Sequence, residues 1–166
     1  PLDITAVVSV SDNGGSSGIL TKLNQIPAIG DLRKVYGAMS ENKDLEKILN
    51  YRFKKEPLKN HPLGNLILLA LYEMNEENLN KSIKDLNSIF KINGRVLPVT
   101  SNKVELCAKV EDKIIFGEEN INRYIGNIED LYTSPSSNVN QEVLKSLNEA
   151  DMIILSPGSL YTSTLA

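Results

Sequence analysis

The residues best suited to bind a charged ligand lie in a glycine-rich loop, residues 11–18, which follows an apolar segment. Glycines let a ligand approach the backbone, while exposed N–H groups and the start of a following helix bind anions. An aspartate can also orient a metal ion, a ribose or a substrate hydroxyl. We predict a ligand-binding loop, and a plain turn held by its own Asp and Asn side chains is the simpler alternative. The predicted site residues here are Asp12, Asn13, Gly14, Gly15, Ser16, Ser17 and Gly18.

The same loop matches the G-x-S-x-G pattern of α/β-hydrolases through Gly14-Gly15-Ser16-Ser17-Gly18. In a hydrolase the strand runs directly into the first glycine, whereas Asp12-Asn13 intervene here. The single histidine, His61, would also follow the serine unusually soon for the order Ser, acid, His. The sequence therefore disfavours a serine hydrolase.

A second stretch of similar character lies at residues 156–163. The apolar residues 152–155 predict a buried strand, which leads into Ser156-Pro157-Gly158-Ser159 and a predicted helix start. This order predicts a second anion-binding turn, although helix capping by Ser159 or Thr162 explains those residues equally well. The P-loop pattern G-x-x-x-x-G-K-[ST] is absent. The predicted site residues are Pro157, Gly158, Ser159, Leu160, Tyr161, Thr162 and Ser163.

Gly30-Asp31-Leu32-Arg33 places a cation where a helix favours an anion. With Asp31 as N-cap, Arg33 falls in the first turn, where the helix dipole disfavours a cation by about 0.3–1 kcal/mol. Either an anion lies near Arg33, or its side chain is simply exposed and solvated. We include Asp31 and Arg33 in the predicted site. We expect Arg33→Ala to weaken ligand binding and to leave thermal stability nearly unchanged.

Residues 60–65 open the most apolar predicted helix. Pro62 suits the first helical position, whereas Gly64 and Asn65 are weak helix formers placed just inside. Their use there indicates that another group approaches the backbone, so both join the predicted site. His61 also joins it, as a proton carrier or a hydrogen-bonding group, although a local cap is the more common role for a lone histidine there.

These motifs require an open α/β sheet to bring them together. Residues 4–10 are apolar and β-branched, which predicts a strand covered on both faces. Later strands are predicted at residues 95–99 and 128–131, with a hairpin of residues 104–110 and 113–116 turning at Glu111-Asp112. Residues 95–116 would form a β-rich appendage or edge. Helices are predicted at residues 20–23, 32–39, 45–53, 63–74, 79–90 and 141–147.

The fold class that follows is α/β, a Rossmann-like and mostly parallel sheet with helices on both faces and a small β-hairpin appendage. The strands at residues 4–10 and 152–155 should be parallel and adjacent or nearly so. Both glycine loops should then face one cleft, which Arg33 and Gly64-Asn65 should border.

Composition favours one soluble domain over residues 1–166, with 41% hydrophobic and 23% charged residues. The single cysteine, Cys107, and the single histidine exclude an intrachain disulfide and a Cys/His zinc site. Net charge is −3 without a basic stripe, so we predict neither nucleic-acid binding nor membrane insertion, and a cytoplasmic location. Because the chain starts at Pro1 and stops after a glycine loop, we expect N- and C-terminal portions of a longer protein to be missing.

Four blocks in this order, DNGGSSG, GDLR, HPLGNL and SPGSLYTS, with RVLPVT and GE between them, resemble the CofD-like family over nearly the whole chain. They resemble most its gluconeogenesis-factor (YvcK) branch. The resemblance implies a Rossmann-like fold and a regulatory protein that binds a UDP-sugar and is needed for cell shape and envelope growth on gluconeogenic carbon sources. The other branch implies a 2-phospho-lactate transferase that uses a guanosine nucleotide and Mg²⁺.

The sequence departs from the family pattern in places. Members usually begin with a strand and a GGGTG-type loop and continue beyond SLYTS, and both parts are absent. Asn13 stands where many members have a second Asp, which weakens a two-carboxylate metal site, and Lys34 stands where Asn is frequent. We therefore assign no metal and no certain cofactor, with Mg²⁺ only alongside a nucleotide.

The sequence favours a binding protein over an enzyme, with no catalytic residue assigned, and the transferase is the enzyme alternative. A scaffold with a vestigial cleft is the third class. Whether the chain forms a homo-oligomer stays open, as do the ligand's base and sugar.

Overall fold

A computed structural model describes residues 2–12 and 14–165 of the chain. The strands of this part are β1 (Thr5–Val8), β2 (Arg95–Pro98), β3 (Glu105–Val110), β4 (Lys113–Phe116) and β5 (Asp130–Ser134). The helices are α1 (Gly15–Asn24), α2 (Gly30–Met39), α3 (Lys43–Asn50), α4 (Leu63–Met74), α5 (Leu79–Phe90), α6 (Glu118–Arg123) and α7 (Gln141–Glu149), and a π-helical turn covers Leu160–Thr164.

The structure confirms the α/β class, with a parallel sheet packed against helices. β1 and β2 pair in parallel, with Thr5 opposite Arg95 and Val8 opposite Pro98. The segment at residues 95–99, predicted to belong to an appendage or edge, therefore supplies the partner of β1. Pro98 is tolerated because N–H groups of alternate residues bond to β1, with Arg95 N donating to Ile4 O and Val99 N to Val8 O, so the missing N–H of Pro98 interrupts no bond of this ladder.

A separate antiparallel sheet has the order β4-β3-β5. Its β3–β4 hairpin pairs Val110 with Lys113, which confirms the predicted turn at Glu111-Asp112. β5 begins two residues later than the strand predicted at residues 128–131, and it pairs along the other edge of β3. This sheet is larger than the predicted hairpin appendage, and the described parallel pairing is confined to β1 and β2.

The predicted strand at residues 152–155 is wrong. The four apolar side chains there, Met152, Ile153, Ile154 and Leu155, are 76%, 59%, 80% and 77% exposed, and the segment has no strand pairing in the described part of the chain. A strand needs a neighbour for its N–H and C=O groups. Among the described residues β1 pairs with β2 alone, so the prediction that residues 4–10 and 152–155 form parallel strands that are adjacent or nearly so is also wrong.

Several predicted boundaries also shift. β1 is shorter than residues 4–10 and is not covered on both faces, since Ile4 and Val7 are 50% and 39% exposed. α1 already begins at Gly15, so the last four residues of the predicted loop form its first turn. α3 ends at Asn50 instead of reaching residue 53. The helices predicted at residues 63–74 and 79–90 are confirmed with those bounds.

The described apolar side chains form two cores. The main core joins β1 and β2 to α1–α5, and it contains the helical repeat Leu79, Ile83 and Leu86, each at most 2% exposed. The second core lies on the three-stranded sheet, where Leu106, Ala108 and Ile121 are buried and Tyr161 of the π-helical turn packs against them. Cys107, in the central strand β3, is fully buried.

No helix within residues 2–12 and 14–165 is long and apolar enough to span a membrane.

Candidate functional site

Three helices of the main core begin without a side-chain cap. The cap residues of α1, α2 and α4 are Gly14, Ile29 and Pro62, and none makes a side-chain hydrogen bond to its helix. By contrast, asparagines cap α3, α5 and α7. Uncapped first turns leave N–H groups that need an acceptor. In the main core, the uncapped helix starts are therefore the positions where free N–H groups would bind an anion most strongly.

These three helix starts pack directly against one another. A Cβ atom on Gly30, the first residue of α2, would collide with the side chain of Ser17 in α1. A Cβ on Gly64, in the first turn of α4, would lie 2.7 Å from Cγ of Arg33 in α2. Glycine is required at both positions because of this close packing. The chain thus brings the loop at residues 11–18, Arg33 and Gly64-Asn65 to one place, as the sequence predicts.

A chain of hydrogen bonds links α1 to the start of α4. Asn65 Nδ2 donates to Ser16 Oγ over 3.2 Å, and Ser16 Oγ lies 2.8 Å from His61 Nδ1. The Ser16 hydroxyl has one proton and two lone pairs, so it can accept from Asn65 and either donate to Nδ1 or accept from it, depending on the His61 tautomer. Asn65 is 2% exposed, and its Oδ1 has no partner among the described residues. The group therefore offers an unpaired acceptor.

Arg33 is a buried cation, so the alternative of an exposed, solvated side chain is wrong. It is 5% exposed, Nη1 donates to Asn50 Oδ1, and the buried Nε has no partner in the described part of the chain. Burial, and then the nearby charge of Arg52, lower the pKa of Arg33, which Asp31 partly opposes. Asp31 itself pairs with Lys34 at 2.7 Å. Because Arg33 is buried and packs on Gly64, we now expect its removal to lower stability, contrary to the expectation of nearly unchanged stability, and its effect on ligand binding stays a prediction.

Asp12 and the second glycine loop meet at Glu118, the first residue of α6. The Glu118 side chain lies close to those of Thr162 and Asp12. Burial, followed by the charge of Asp12, raises the pKa of Glu118, and Asp31 adds to the rise while Thr162 opposes it. Asp12 Oδ1 also accepts from Gly14 N over 2.8 Å. Asp12 and Glu118 thus form an acidic cluster beside the start of α1.

The π-helical turn is held by Asn122 of α6. Ser159 Oγ and Thr162 Oγ1 both donate to Asn122 Oδ1, over 2.8 and 3.1 Å. Neither hydroxyl caps a helix through its side chain, so the capping alternative for these two residues is not what the structure shows. Thr162 is buried, whereas Leu160 is 56% exposed.

The predicted site residues therefore fall into three groups. The first group lies at the starts of α1, α2 and α4. The second lies around Glu118 and Asn122 of α6, and the third lies on exposed parts of the second loop. Asn13 lies outside the described residues. The first group is Gly14, Gly15, Ser16, Ser17, Gly18, Asp31, Arg33, His61, Gly64 and Asn65, the second is Asp12, Ser159, Tyr161 and Thr162, and the third is Pro157, Gly158, Leu160 and Ser163.

Sequence reasoning missed four residues that complete these contacts. Glu118 and Asn122 lie one turn apart on α6, so their helical spacing was the available signal. Asn50 and Arg52 flank the end of α3, and nothing in their spacing indicates that they approach Arg33.

Comparison with known proteins places this geometry in a family. The family model described as 2-phospho-L-lactate transferase CofD matches residues 1–166. The gluconeogenesis factor of Bacillus subtilis is 38% identical over 169 residues, an alignment that covers 99% of this chain and 53% of that protein. A protein of Thermotoga maritima that provisionally carries the same name is 42% identical over 165 residues, which cover 98% of this chain and 52% of the relative.

A comparison with solved structures finds the same fold. A crystal structure of a UPF0052-family protein from Bacillus halodurans matches with a TM-score of 0.92 and 36% identity, over 99% of this chain and 54% of that one. The chain spans about half the length of the relatives that it matches.

Proposed function

Since this chain belongs to the CofD family, we propose that it is the ligand-binding part of a gluconeogenesis factor that binds a UDP-sugar without consuming it. The names of its relatives support the assignment to gluconeogenesis factors. The proposed biological role is regulatory, in cell shape and envelope growth on gluconeogenic carbon sources, as the resemblance implies.

The observation that carries this proposal is the uncapped start of α1. Among the described residues, the N–H groups of Gly15, Ser16 and Ser17 have no hydrogen-bond acceptor. Gly15 has a φ of 49°, and a Cβ there would meet nothing within 4 Å, so the backbone faces open space. Free amides at a helix start bind phosphate oxygens. We place the diphosphate of the ligand here.

A sugar nucleotide also carries hydroxyl groups, and acceptors for them lie close by. Asp12 and Glu118 present carboxyl oxygens beside the start of α1, and Asn122 fixes the turn that bears Ser159 and Thr162. Carboxylates accept hydrogen bonds from hydroxyls strongly. They therefore suit the ribose or sugar hydroxyls, and they repel phosphate, which directs the diphosphate to the amides.

The transferase is the second candidate, favoured by the carboxyl pair of Asp12 and Glu118 next to a phosphate-binding helix start. Such a transferase would need Mg²⁺ at this pair. Within residues 2–12 and 14–165, no cluster of three or more His, Cys, Asp or Glu side chains is arranged to hold a metal ion. One or two carboxylates hold Mg²⁺ when a nucleotide phosphate supplies further ligands, so Asp12 and Glu118 keep the transferase as the second candidate, and the proposed binding function rests on the free amides of α1.

Calorimetry of the protein at its full natural length tests the proposal, with UDP-glucose, UDP and GDP as probes. We expect the uridine compounds to bind more tightly than GDP, and UDP-glucose to be recovered intact. Consumption of UDP-glucose, or a transfer from a GDP-linked donor that requires Asp12 and Mg²⁺, would instead establish the transferase.

The matching variant is Gly14→Ala. Its Cβ would meet only Asp12 Oδ1, at 3.1 Å, so the fold should persist while the methyl group obstructs the loop backbone. We expect uridine nucleotides to bind below detection, with the thermal midpoint close to that of the natural protein. Gly158 is a poorer choice, since a Cβ there would lie 2.8 Å from Ser163 Cβ and would move the turn itself.

A further inference from the structure

Two arginines lie at the start of α4. Arg33 packs on Gly64, as described, and its Nη1 is bound by Asn50. Arg52, two residues after Asn50, forms an antiparallel bridge with Pro62, the residue immediately before α4. Both guanidinium groups are therefore held near the same helix start, one from α2 and one from the segment after α3.

Neither guanidinium has a carboxylate partner in the part of the chain that the structure describes. Arg52 uses Nη1 to donate to the backbone oxygen of Asn60 over 2.6 Å. On Arg33, Nη1 is used, but the edge formed by Nε and Nη2 makes no hydrogen bond to the described residues. That edge is the one that holds a phosphate or carboxylate through two parallel hydrogen bonds.

The electrostatics at this point are unfavourable without an anion. Two like charges face a helix start that carries positive partial charge, and one of the two is buried. The lowered pKa of Arg33 has the same origin, namely burial and then Arg52. Asp31, which acts in the opposite direction, is already paired with Lys34. The backbone N–H of Gly64 also has no acceptor among the described residues.

We propose that Arg33, Arg52 and the Gly64 N–H bind a phosphate group at the start of α4, in a subsite separate from the amides of α1. Arg33 forms the buried floor, and the exposed Arg52 closes the site from solvent. The phosphate belongs either to the nucleotide itself or to a second phosphorylated molecule. The inference extends the proposed function by giving the cleft two anion subsites, but it does not require the ligand to be a uridine nucleotide.

Inorganic phosphate is the first probe, titrated at constant ionic strength with chloride as the balancing anion. We expect Arg52→Gln to weaken phosphate binding at least about tenfold, because a charge-assisted hydrogen bond is lost. Lys54→Gln is the matched control, since it removes the same charge from an exposed side chain two residues away, and it should bind phosphate like the natural protein. Arg52→Lys keeps the charge and a donor for Asn60 but not the planar fork, and it should show an intermediate loss.

A second titration uses UDP and identifies the source of the phosphate. If Arg52→Gln weakens UDP binding by a similar factor, the subsite holds a phosphate of the nucleotide. If UDP binds Arg52→Gln normally, and phosphate still binds the UDP-saturated natural protein, the subsite holds a second molecule. Both results support the subsite.

The subsite is wrong if phosphate does not bind at millimolar concentration, or if Arg52→Gln and Lys54→Gln bind it equally. It is also wrong if UDP displaces phosphate fully while Arg52→Gln leaves UDP affinity unchanged. A failure of the proposed function would give another result. Uridine nucleotides would then not bind the natural protein, but phosphate would still bind it and would still depend on Arg52.

Discussion

At the scale of single residues, the Ser16 hydroxyl is a junction between α1 and α4. It accepts a hydrogen bond from Asn65 and forms another with His61 Nδ1. Sequence reasoning placed Ser16, His61 and Asn65 in one site, but it did not predict that they bond to one another. Side-chain hydrogen bonds between segments 45 and 49 residues apart leave no periodic signal in a sequence, so this link required coordinates.

The first prediction is that Ser16→Ala lowers the free energy of unfolding by about 1–3 kcal/mol, as well as weakening ligand binding. The reason is that Asn65, which is 2% exposed, would lose the partner of its amide nitrogen while its oxygen is already unpaired. Urea denaturation without ligand measures the change. A double-mutant cycle with His61→Ala should show coupling, and strictly additive effects would contradict the linked arrangement.

The second prediction concerns Glu118. Its pKa is raised by burial and then by the charge of Asp12, so the folded state holds this proton more tightly than the unfolded chain does. The contribution of Glu118 to stability is therefore present below its ordinary pKa and is lost as pH rises through the raised one. Glu118→Gln cannot ionise and should escape this loss.

The measurement is the thermal midpoint of Glu118→Gln relative to the natural protein, between pH of about 4 and about 7.5. The difference should move in favour of the variant as pH increases. Glu73→Gln, at an exposed position of α4, is the control and should give a difference that does not vary with pH in this way. A flat difference for Glu118→Gln would mean that the pKa of Glu118 is not raised in the folded protein.

Arg33 shows how far the site could be predicted from the sequence. Its predicted place two residues after an Asp31 cap indicated an unusual environment; the cap is wrong, because Ile29 caps α2, but Arg33 does lie where the starts of α2 and α4 pack together. Its burial was not predictable, because it depends on Gly64 and Asn50, which come from helices that pack only in three dimensions.

At the scale of elements, the helices were the more predictable part. α4 and α5 have the predicted bounds, since their apolar residues recur at helical spacing over twelve residues each. The pairing of strands was less predictable. β1 pairs with β2, and residues 152–155 form no strand, because an apolar run of four residues does not specify its neighbour.

The third prediction compares two capping asparagines. Asn42 caps α3 through one bond to Asp44 N, whereas Asn140 caps α7 and also donates to the Pro98 oxygen of β2. We expect Asn42→Ala to cost about 1 kcal/mol and Asn140→Ala about 2 kcal/mol or more, since the second loses a cap and a bond between elements. Chemical denaturation of both variants checks the order, and equal losses would show that the bond to Pro98 adds nothing.

At the scale of the whole molecule, we expect the exposed apolar residues 152–155 to promote association of the chain in solution. Ile154 is 80% exposed in an extended segment, and such segments pair readily with other chains. The fourth prediction is that Ile154→Lys reduces concentration-dependent association of this chain, with stability unchanged to within about 0.5 kcal/mol.

Light scattering over a concentration series measures this association. The control is Ile125→Lys, because Ile125 is 98% exposed but lies outside any apolar run, so it should leave association as it is in the natural chain. Equal effects of the two variants would point to net charge instead of the segment.

The apolar interior is divided into two cores, and one buried thiol allows the opening of the three-stranded sheet to be measured separately. Cys107 is the only cysteine in the sequence, it is fully buried in the central strand of the three-stranded sheet, and burial raises the pKa of its thiol. A thiol reagent therefore reacts only when that sheet opens, and its rate reports the opening of the three-stranded sheet. Asp12 follows β1 and Glu118 begins α6, so a ligand bound to both would contact both parts of the chain. Measuring this rate and the denaturation of the main core, with and without ligand, tells whether the ligand slows both openings or only one.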